Sequence, residues 1–257
     1  MRNNVAIIIP ARLASQRLPD KPLVNICGKS MIQRVYEKAA KTGIKDIFIA
    51  CDGQKIANEV KKFGGNYIIT DPDLPSGTDR IYAAYQEISK NGKNFDYIIN
   101  LQGDLPNVDH EVINAAIEAI SKNDCDIATL ASKIESVREV KDPNIVKIAI
   151  AFKEKKYGQA LYFSRSPIPF YRDEQENILK DQQYYHHIGI YAYTKKALIK
   201  FVSLKQSNLE KIESLEQLRA LENDMKIVVN IVNSNPLSVD TKNDLEIITK
   251  IITNEES

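Results

Sequence analysis

The feature that most constrains the fold is an uninterrupted apolar run close to the start of the sequence, residues 5–9, which ends at Pro10. Such a run predicts a strand that is buried on both faces, as in a parallel sheet. The basic segment that follows contains Pro19 and Pro22, which disfavour a helix. We therefore expect a shaped loop at the carboxyl end of the first strand, which is where open α/β sheets bind ligands.

This loop carries three cations, Arg12, Arg17 and Lys21. Guanidinium groups bind phosphate oxygens in a planar, bidentate way and lysine adds a mobile point charge, so the loop favours a polyanion such as a nucleoside triphosphate. The sequence has neither the glycine-rich signature of P-loop NTPases nor that of dinucleotide-binding folds at this point. The loop alone leaves open a second interpretation, an ordinary solvated basic loop.

Composition limits the classes of protein. The 257 residues are 43% hydrophobic, enough for a sizeable core, and the formal net charge of +1 argues against a nucleic-acid partner. No segment has the length of a transmembrane span, and the first strand leaves no room for a signal peptide. Three cysteines without CxxC spacing and three histidines argue against a disulfide framework and a His-rich metal site. We expect a cytoplasmic protein with no membrane partner.

Strand-like and helix-like segments alternate through the first half of the chain. This pattern predicts a Rossmann-like α/β fold, with a mostly parallel mixed sheet and helices on both faces. The second half is less regular, with strands expected at 144–152 and 185–194 and a long loop between them. With no linker or repeat in view, we expect one continuous domain over residues 1–257 whose second half is elaborated.

One helix is expected at 207–223, capped by Ser207. Its predicted buried stripe consists of Leu209, Ile212, Leu215 and Leu218. A final helix is expected near the end of the chain, with Thr241 or Asn243 as its cap.

Two aspartates follow predicted strands, Asp104 in LQGDLP and Asp240 in SVDT. Two carboxylates that face a cationic loop suit Mg²⁺, which prefers a few hard oxygen ligands and completes its octahedron with phosphate oxygens. The competing interpretation is that each aspartate caps the following helix. Taken alone, Asp240 favours the cap and Asp104 favours the metal.

The segment PSGTDR, residues 75–80, contains small hydrogen-bonding residues after a strand. Ser76 and Thr78 could bind the edge of a base, and Gly77 would let the base approach. An ordinary turn and helix cap is an equally good interpretation of the segment by itself.

Taken together, IIPARLASQRLPDKPL, SGTDR, QGD, ALYFSRSPIP, HIGIYAY, LEQLR and VDT, in this order and spacing, resemble the 3-deoxy-manno-octulosonate cytidylyltransferases. These are the CMP-Kdo synthetases of lipopolysaccharide assembly, and the resemblance covers residues 5–250. It implies a nucleotide-diphospho-sugar transferase fold, CTP and an acid sugar (Kdo) as substrates, Mg²⁺ as cofactor and a homodimer.

The resemblance also implies roles for individual residues. The expected catalytic residues are Arg12 and Lys21 on the CTP phosphates and Asp104 and Asp240 on Mg²⁺. Cytosine and ribose would be held by Ala11, Ser76, Gly77 and Gln102, together with Arg12 and Lys21 on the nucleotide. The expected sugar-binding residues are Arg17, Arg165, His187, Glu213, Glu216 and Gln217.

Some of these sugar-side roles have structural alternatives. His187 could simply pack within a strand, and the two glutamates with Gln217 could form the solvated face of their helix. Glu213 and Gln217, four residues apart on the predicted helix, would share one face and could approach a polyol together.

Two positions depart from the family pattern. Leu105 stands where the family usually has Glu, directly after QGD, and Ala192 stands where Gly is common. These departures leave open another acid sugar, 8-amino-Kdo or a sialic acid, or a nucleotide-binding homologue that does not catalyse the reaction.

Overall fold

A computed structural model describes residues 4–15, 17–172, 179 and 183–256. The chain forms two compact units, one made of Met1–Asn114 with Pro236–Ser257 and the other of Ala115–Asn235. The single continuous domain over residues 1–257 stays a prediction. None of the helices in the described ranges is long and apolar enough to cross a membrane.

Strands occur along the length of the described chain. They are β1 (Val5–Ala11), β2 (Asn25–Ile26), β3 (Lys29–Ser30), β4 (Ile47–Cys51), β5 (Asn66–Ile69), β6 (Tyr97–Asn100), β7 (Ile127–Lys133), β8 (Lys147–Phe152), β9 (Tyr157–Ser164), β10 (Tyr185–Thr194) and β11 (Ile227–Val232).

The helices lie mainly between these strands. They are α1 (Met31–Ala40), α2 (Gln54–Lys62), α3 (Gly77–Lys90), α4 (His110–Lys122), α5 (Val137–Lys141), α6 (Lys195–Ser203), α7 (Asn208–Glu213), α8 (Leu218–Leu221) and α9 (Lys242–Glu256). A short 3₁₀ turn, Lys21–Leu23, lies in the basic loop, with Pro22 in its first turn.

The first unit contains a parallel sheet in the order β5-β4-β1-β6. The apolar run of β1 is buried throughout residues 5–9, which confirms the prediction of a strand covered on both faces. Helices connect these parallel strands, as crossover connections require. The basic loop and the residues after β6 therefore lie at the same carboxyl edge of this sheet.

The second unit contains a mixed sheet in the order β10-β7-β11-β9-β8. The central β7 pairs in parallel with β11 and antiparallel with β10. Strand β9 is a difference from the sequence expectation, which placed Tyr162–Ser164 in the long loop. The rest of that predicted loop includes residues 173–176, which lie outside the described residues.

The prediction of a single helix over residues 207–223 is wrong, because this segment forms two shorter helices, α7 and α8. Between them Ser214 adopts a left-handed conformation with φ of 53°, which ends a helix. The break lets Arg219 of α8 form a buried bidentate pair with Glu210 of α7, at 2.8 and 2.6 Å. It also leaves Ile212 71% exposed, so this member of the predicted buried stripe does not pack in the core.

Candidate active site

A cavity of about 930 Å³ lies at the carboxyl edge of the first unit's sheet. Its lining includes the residues of this unit to which the family resemblance gives a role: Ala11, Arg12, Arg17, Lys21, Ser76, Gly77, Gln102, Asp104 and Asp240. The structure thus brings these residues together, although the role of each one stays a prediction. Arg12 and Arg17 are exposed at the cavity and Lys21 is half-buried.

The two aspartates converge on one lysine. The Nζ of Lys21 donates to Asp104 Oδ2 at 2.7 Å and to Asp240 Oδ1 at 2.8 Å, and Arg17 Nη2 lies 3.2 Å from the other oxygen of Asp240. Burial lowers the pKa of Lys21, but the charge of Asp104 and the hydrogen bonds to both carboxylates outweigh burial and raise the pKa above its ordinary value. Lys21 is therefore charged at neutral pH.

Asp240 is free for this contact because another residue caps α9. Thr241 Oγ1 accepts from Asp244 N at 3.2 Å, and Asp244 Oδ2 accepts from the backbone N–H groups of Thr241 and Asp240 at 2.8 and 3.1 Å. The prediction of Thr241 as the cap is confirmed. The alternative in which the Asp240 side chain is the cap is not what the structure shows. Val239 N also donates to Asp104 O at 3.0 Å, which ties the two aspartate segments together.

Close backbone approach explains the glycine of QGD. A Cβ at Gly103 would lie 2.7 Å from the carbonyl oxygen of Pro10, a distance that real Cβ atoms essentially never show. The neighbouring Gln102 donates from Nε2 to Asn100 Oδ1 at 3.2 Å, which orients its amide beside the cavity. Glycine thus lets the end of β6 and the end of β1 meet.

The segment at the start of α3 serves as a helix cap. Ser76 Oγ accepts from Asp79 N at 3.1 Å and donates to Asp79 Oδ2 at 2.7 Å, so the turn-and-cap interpretation of PSGTDR is present in the structure. Ser76 nevertheless lines the cavity. Thr78 is only 1% exposed and does not occur among the described lining residues, so it is poorly placed to contact a base.

Sequence reasoning missed two charged residues around this cavity. Arg80 belongs to the quoted motif SGTDR but received no role, although it lines the cavity. Asp52 was noted only as the end of a strand, yet its Oδ2 accepts from the backbone N–H of Leu13 at 2.8 Å and so holds the basic loop. The sequence signal that could have indicated them is their position. Asp52 directly follows β4 and Arg80 lies near the start of α3, at the edge of the sheet where the cavity lies.

In the second unit, Arg165 and Glu213 are linked by hydrogen bonds. Glu213 accepts from Ser164 Oγ at 2.6 Å and from the backbone N–H of Arg165 at 2.9 Å. The Arg165 guanidinium donates in turn to the carbonyl oxygens of Glu213, Pro143 and Ser214, at 2.9, 3.0 and 3.4 Å. These contacts fix the direction of the arginine side chain.

Glu216 and Gln217 follow the break after α7. The expectation that Glu213 and Gln217 share a helix face is wrong, because the helix ends at Glu213 and Ser214 turns the chain. Gln217 is buried, and Glu216 Oε1 lies 3.8 Å from Arg219 Nη2.

His187 is packed inside β10. Its Nε2 lies 3.0 Å from Thr129 Oγ1, and its ring contacts Phe163 edge-on and Tyr191, with centroids 4.9 and 5.4 Å away. Burial lowers the pKa of His187 to about 3, so the ring is neutral at physiological pH. The packing interpretation of this histidine is present in the structure, and its sugar-binding role stays a prediction.

The two family departures are both core residues. Leu105 is 5% exposed and Ala192 is fully buried. Leu105 does not occur among the described residues that line the cavity. Its apolar side chain is therefore accommodated by packing rather than placed beside the aspartate pair.

Comparison with known proteins first gives the class. Residues 6–227 match a protein-family model described as "Cytidylyltransferase". This agrees with an open α/β sheet whose carboxyl edge carries a cationic loop and a carboxylate pair.

The relatives narrow the class. The 3-deoxy-manno-octulosonate cytidylyltransferase of Parvibaculum lavamentivorans is 44% identical over 240 residues, which cover 93% of this chain and 89% of that protein. The protein of the same name from Bartonella henselae is 46% identical over 246 residues, 96% of this chain and 97% of the relative. A solved structure of CMP:2-keto-3-deoxy-manno-octonic acid synthetase complexed with CTP is 36% identical, has a TM-score of 0.89 and covers 98% of this chain and 99% of its own. The chain belongs to the 3-deoxy-manno-octulosonate cytidylyltransferase family.

Proposed function

We propose that the protein transfers the cytidylyl group of CTP to 3-deoxy-D-manno-octulosonate, giving CMP-Kdo and pyrophosphate for lipopolysaccharide biosynthesis. The observation that carries the proposal is the match along nearly the whole chain to a synthetase solved with CTP. The cavity of the first unit supports it, because its cations suit a triphosphate.

The reaction needs little covalent chemistry from the protein. The anomeric hydroxyl of the sugar attacks the α-phosphorus in line and releases its proton to solvent. A new P–O bond forms, and the bond from the α-phosphorus to the leaving pyrophosphate breaks. Phosphoryl-type transfer depends mainly on positioning and on stabilising negative charge. In this proposal Arg12 and Lys21 bind the phosphates, and they offset the repulsion between triphosphate and sugar acid. Ala11, Ser76, Gly77 and Gln102 hold cytosine and ribose.

We also propose Mg²⁺ as the cofactor, held by Asp104 and Asp240. The donor set fits, because two carboxylates that both contact one ammonium group converge on a single cationic position. Within the described part of the chain no group of three His, Cys, Asp or Glu stands ready for a metal. A pair of carboxylates leaves coordination positions for phosphate oxygens and water, which is how Mg²⁺ is usually bound with nucleotides. When bound, the ion would supply charge neutralisation for the phosphates.

Arg17 is the sugar-binding candidate of the first unit, and the second unit contains the other candidates. Arg165 has five guanidinium N–H donors, and the structure uses its three nitrogens for carbonyl oxygens, one contact each. The remaining donors could bind the carboxylate of Kdo. The other sugar-side candidates are His187, Glu213, Glu216 and Gln217.

We further propose a cytoplasmic homodimer. The family resemblance supports it, as do large apolar side chains exposed in the second unit, Leu161, Phe170 and Ile212. Analytical ultracentrifugation should give the mass of two chains; the mass of one chain at micromolar concentration would contradict the dimer.

The proposed activity is tested by product identification. The protein is incubated with CTP and Kdo, with and without Mg²⁺, and the products are identified by mass spectrometry together with released pyrophosphate. We expect CMP-Kdo only with Mg²⁺. Turnover of 8-amino-Kdo or a sialic acid in preference to Kdo would favour another acid sugar. Binding of CTP and Kdo without product would favour a non-catalytic homologue.

A further inference from the structure

We propose that Arg80 is a positioning residue that fixes the wall segment, residues 70–77, and thereby sets the selectivity of the cavity for the base of its nucleotide. The inference rests on the proposed cytidine nucleotide substrate. The inference goes beyond the proposed function by assigning base selectivity to a buried arginine that does not need to contact the base.

Arg80 is almost completely buried although it lines the cavity. Its side chain is 2% exposed, and its two terminal nitrogens donate to three consecutive residues. Nη1 donates to Thr70 Oγ1 at 2.6 Å and to Asp71 O at 3.1 Å, and Nη2 donates to Pro72 O at 3.3 Å. A buried charge of this kind is costly unless it is fully hydrogen-bonded, so the segment and the arginine hold each other in place.

The hydrogen bonds continue from Arg80 to the sheet. Thr70 Oγ1, which accepts from Arg80, donates to Cys51 O at 3.0 Å, and Thr70 N donates to the same carbonyl at 2.8 Å. Cys51 is the last residue of β4. The start of the wall segment is thus fixed between β4 and α3, while its later residues Leu74 and Pro75 line the cavity.

Asp52 links this wall to the basic loop. The carboxylate of Asp52 accepts from the backbone N–H of Leu13, next to Arg12, and its negative charge also favours the charged form of Arg80. Burial lowers the pKa of Arg80 and the attraction of Asp52 opposes that shift. One carboxylate therefore accepts a hydrogen bond from the basic loop and interacts electrostatically with Arg80 in the opposite wall.

The geometry favours a role at the base rather than at the phosphates. The terminal nitrogens of Arg80 donate to protein oxygens, whereas Arg12 is exposed at the cavity and available to an anion. The wall offers two apolar side chains and the Ser76 hydroxyl, which suits a planar base with polar edges. Movement of this wall would alter base contacts and leave the phosphate charges in place.

The test compares Arg80→Met and Arg80→Lys with wild type. Binding of CTP, UTP and inorganic tripolyphosphate is measured by calorimetry without sugar, so the result does not depend on which sugar the enzyme uses. Steady-state KM and kcat for CTP are measured in parallel. Arg34→Met is the matched control, because Arg34 is also buried and also donates to two backbone carbonyls, Ile26 O and Cys27 O, but does not line the cavity.

Each hydrogen bond to the base that a displaced wall no longer makes corresponds to roughly two- to tenfold in binding. We therefore expect Arg80→Met to raise the KM for CTP at least about tenfold and to reduce the preference for CTP over UTP about fivefold or more. The kcat should change by less than about threefold and tripolyphosphate binding by less than about twofold, since the phosphate contacts remain. Arg80→Lys should restore part of the preference, and Arg34→Met should leave it unchanged.

Two results would overturn the proposal. One is an unchanged preference for CTP over UTP in Arg80→Met; the other is a loss of tripolyphosphate binding as large as the loss of CTP binding, which would make Arg80 a phosphate ligand. If Arg80→Met does not fold, Thr70→Val decides the question, because it removes the hydroxyl between Arg80 and Cys51. A reduced preference in that variant supports the role, and an unchanged preference contradicts it.

Discussion

At the scale of single residues, the positive charge of Lys21 offsets part of the negative charge of the aspartate pair. Its one ammonium group contacts both Asp104 and Asp240, and Arg17 adds a second cation beside Asp240. A divalent cation that binds the same two carboxylates has to compete with this ammonium. We infer that Lys21 lowers metal affinity until an anionic nucleotide offers the ammonium another partner.

Removal of this charge should therefore favour metal binding by the free protein. We expect Lys21→Met to lower the dissociation constant for Mn²⁺, measured by electron paramagnetic resonance without nucleotide, by about tenfold, while CTP binding weakens by about tenfold or more. Lys29→Met is the control, because Lys29 pairs with a single carboxylate, Glu37, at 2.7 Å. Unchanged or weaker Mn²⁺ binding in Lys21→Met would show that the ammonium does not compete with the metal.

The residue scale also shows what sequence could and could not provide. The cations Arg12 and Lys21 and the carboxylates Asp104 and Asp240 could be predicted, because charged residues at strand ends in an α/β pattern face one edge of the sheet. The contribution of Arg80 could not, because its importance depends on carbonyl oxygens of a loop whose path no local pattern specifies.

At the scale of elements, β10 carries a neutral histidine into the interior of the second unit. Burial lowers the pKa of His187 to about 3 from an ordinary value of 6.5, and burial also lowers the pKa of His186. Between about pH 3 and pH 6.5, His187 binds a proton in the unfolded chain but not in the folded chain. The stabilising contribution of neutral His187 is thus present above pH 6.5 and is lost as the pH falls toward 3.

The unfolding free energy should fall as the pH is lowered from 7 to 4, and His187 should contribute up to about 1.4 kcal/mol per pH unit to that slope. Urea unfolding of His187→Gln at several pH values should give a shallower slope than wild type. His110→Gln, which changes a histidine whose side chain is 41% exposed, is the control. Equal slopes for wild type and His187→Gln would mean that the buried ring does not set this dependence.

The same scale explains where the element predictions failed. Periodicity joined α7 and α8 into one helix, since nothing in the sequence marks Ser214 as left-handed; glycine is the usual residue there. The break is stabilised by a tertiary contact, the buried pair of Glu210 and Arg219, which also places Arg219 over the ring of Phe201 at 4.8 Å. Such a contact cannot be read from helical spacing.

At the scale of the whole molecule, alternation of strands and helices was sufficient to predict the parallel sheet of the first unit, where each crossover repeats the same arrangement. The mixed sheet of the second unit was less predictable. Its order, β10-β7-β11-β9-β8, brings together strands that are distant in sequence, and the end of β9, Tyr162–Ser164, lies where the sequence predicts a loop. The resemblance to a known family, carried by motifs along the whole chain, supplied what periodicity could not.

The most direct measurement of the central claim is pyrophosphate release from CTP and Kdo, with Mg²⁺, by wild type and Asp104→Asn. In the proposed complex the triphosphate lies at the cavity where Asp104, Asp240 and Lys21 meet. We predict release by wild type and a rate at least about a hundredfold lower for Asp104→Asn, because the proposed metal ligand is lost. Asp46→Asn, which alters an aspartate paired with Lys93 outside the cavity lining, should keep the wild-type rate. Near wild-type release by Asp104→Asn would contradict the account.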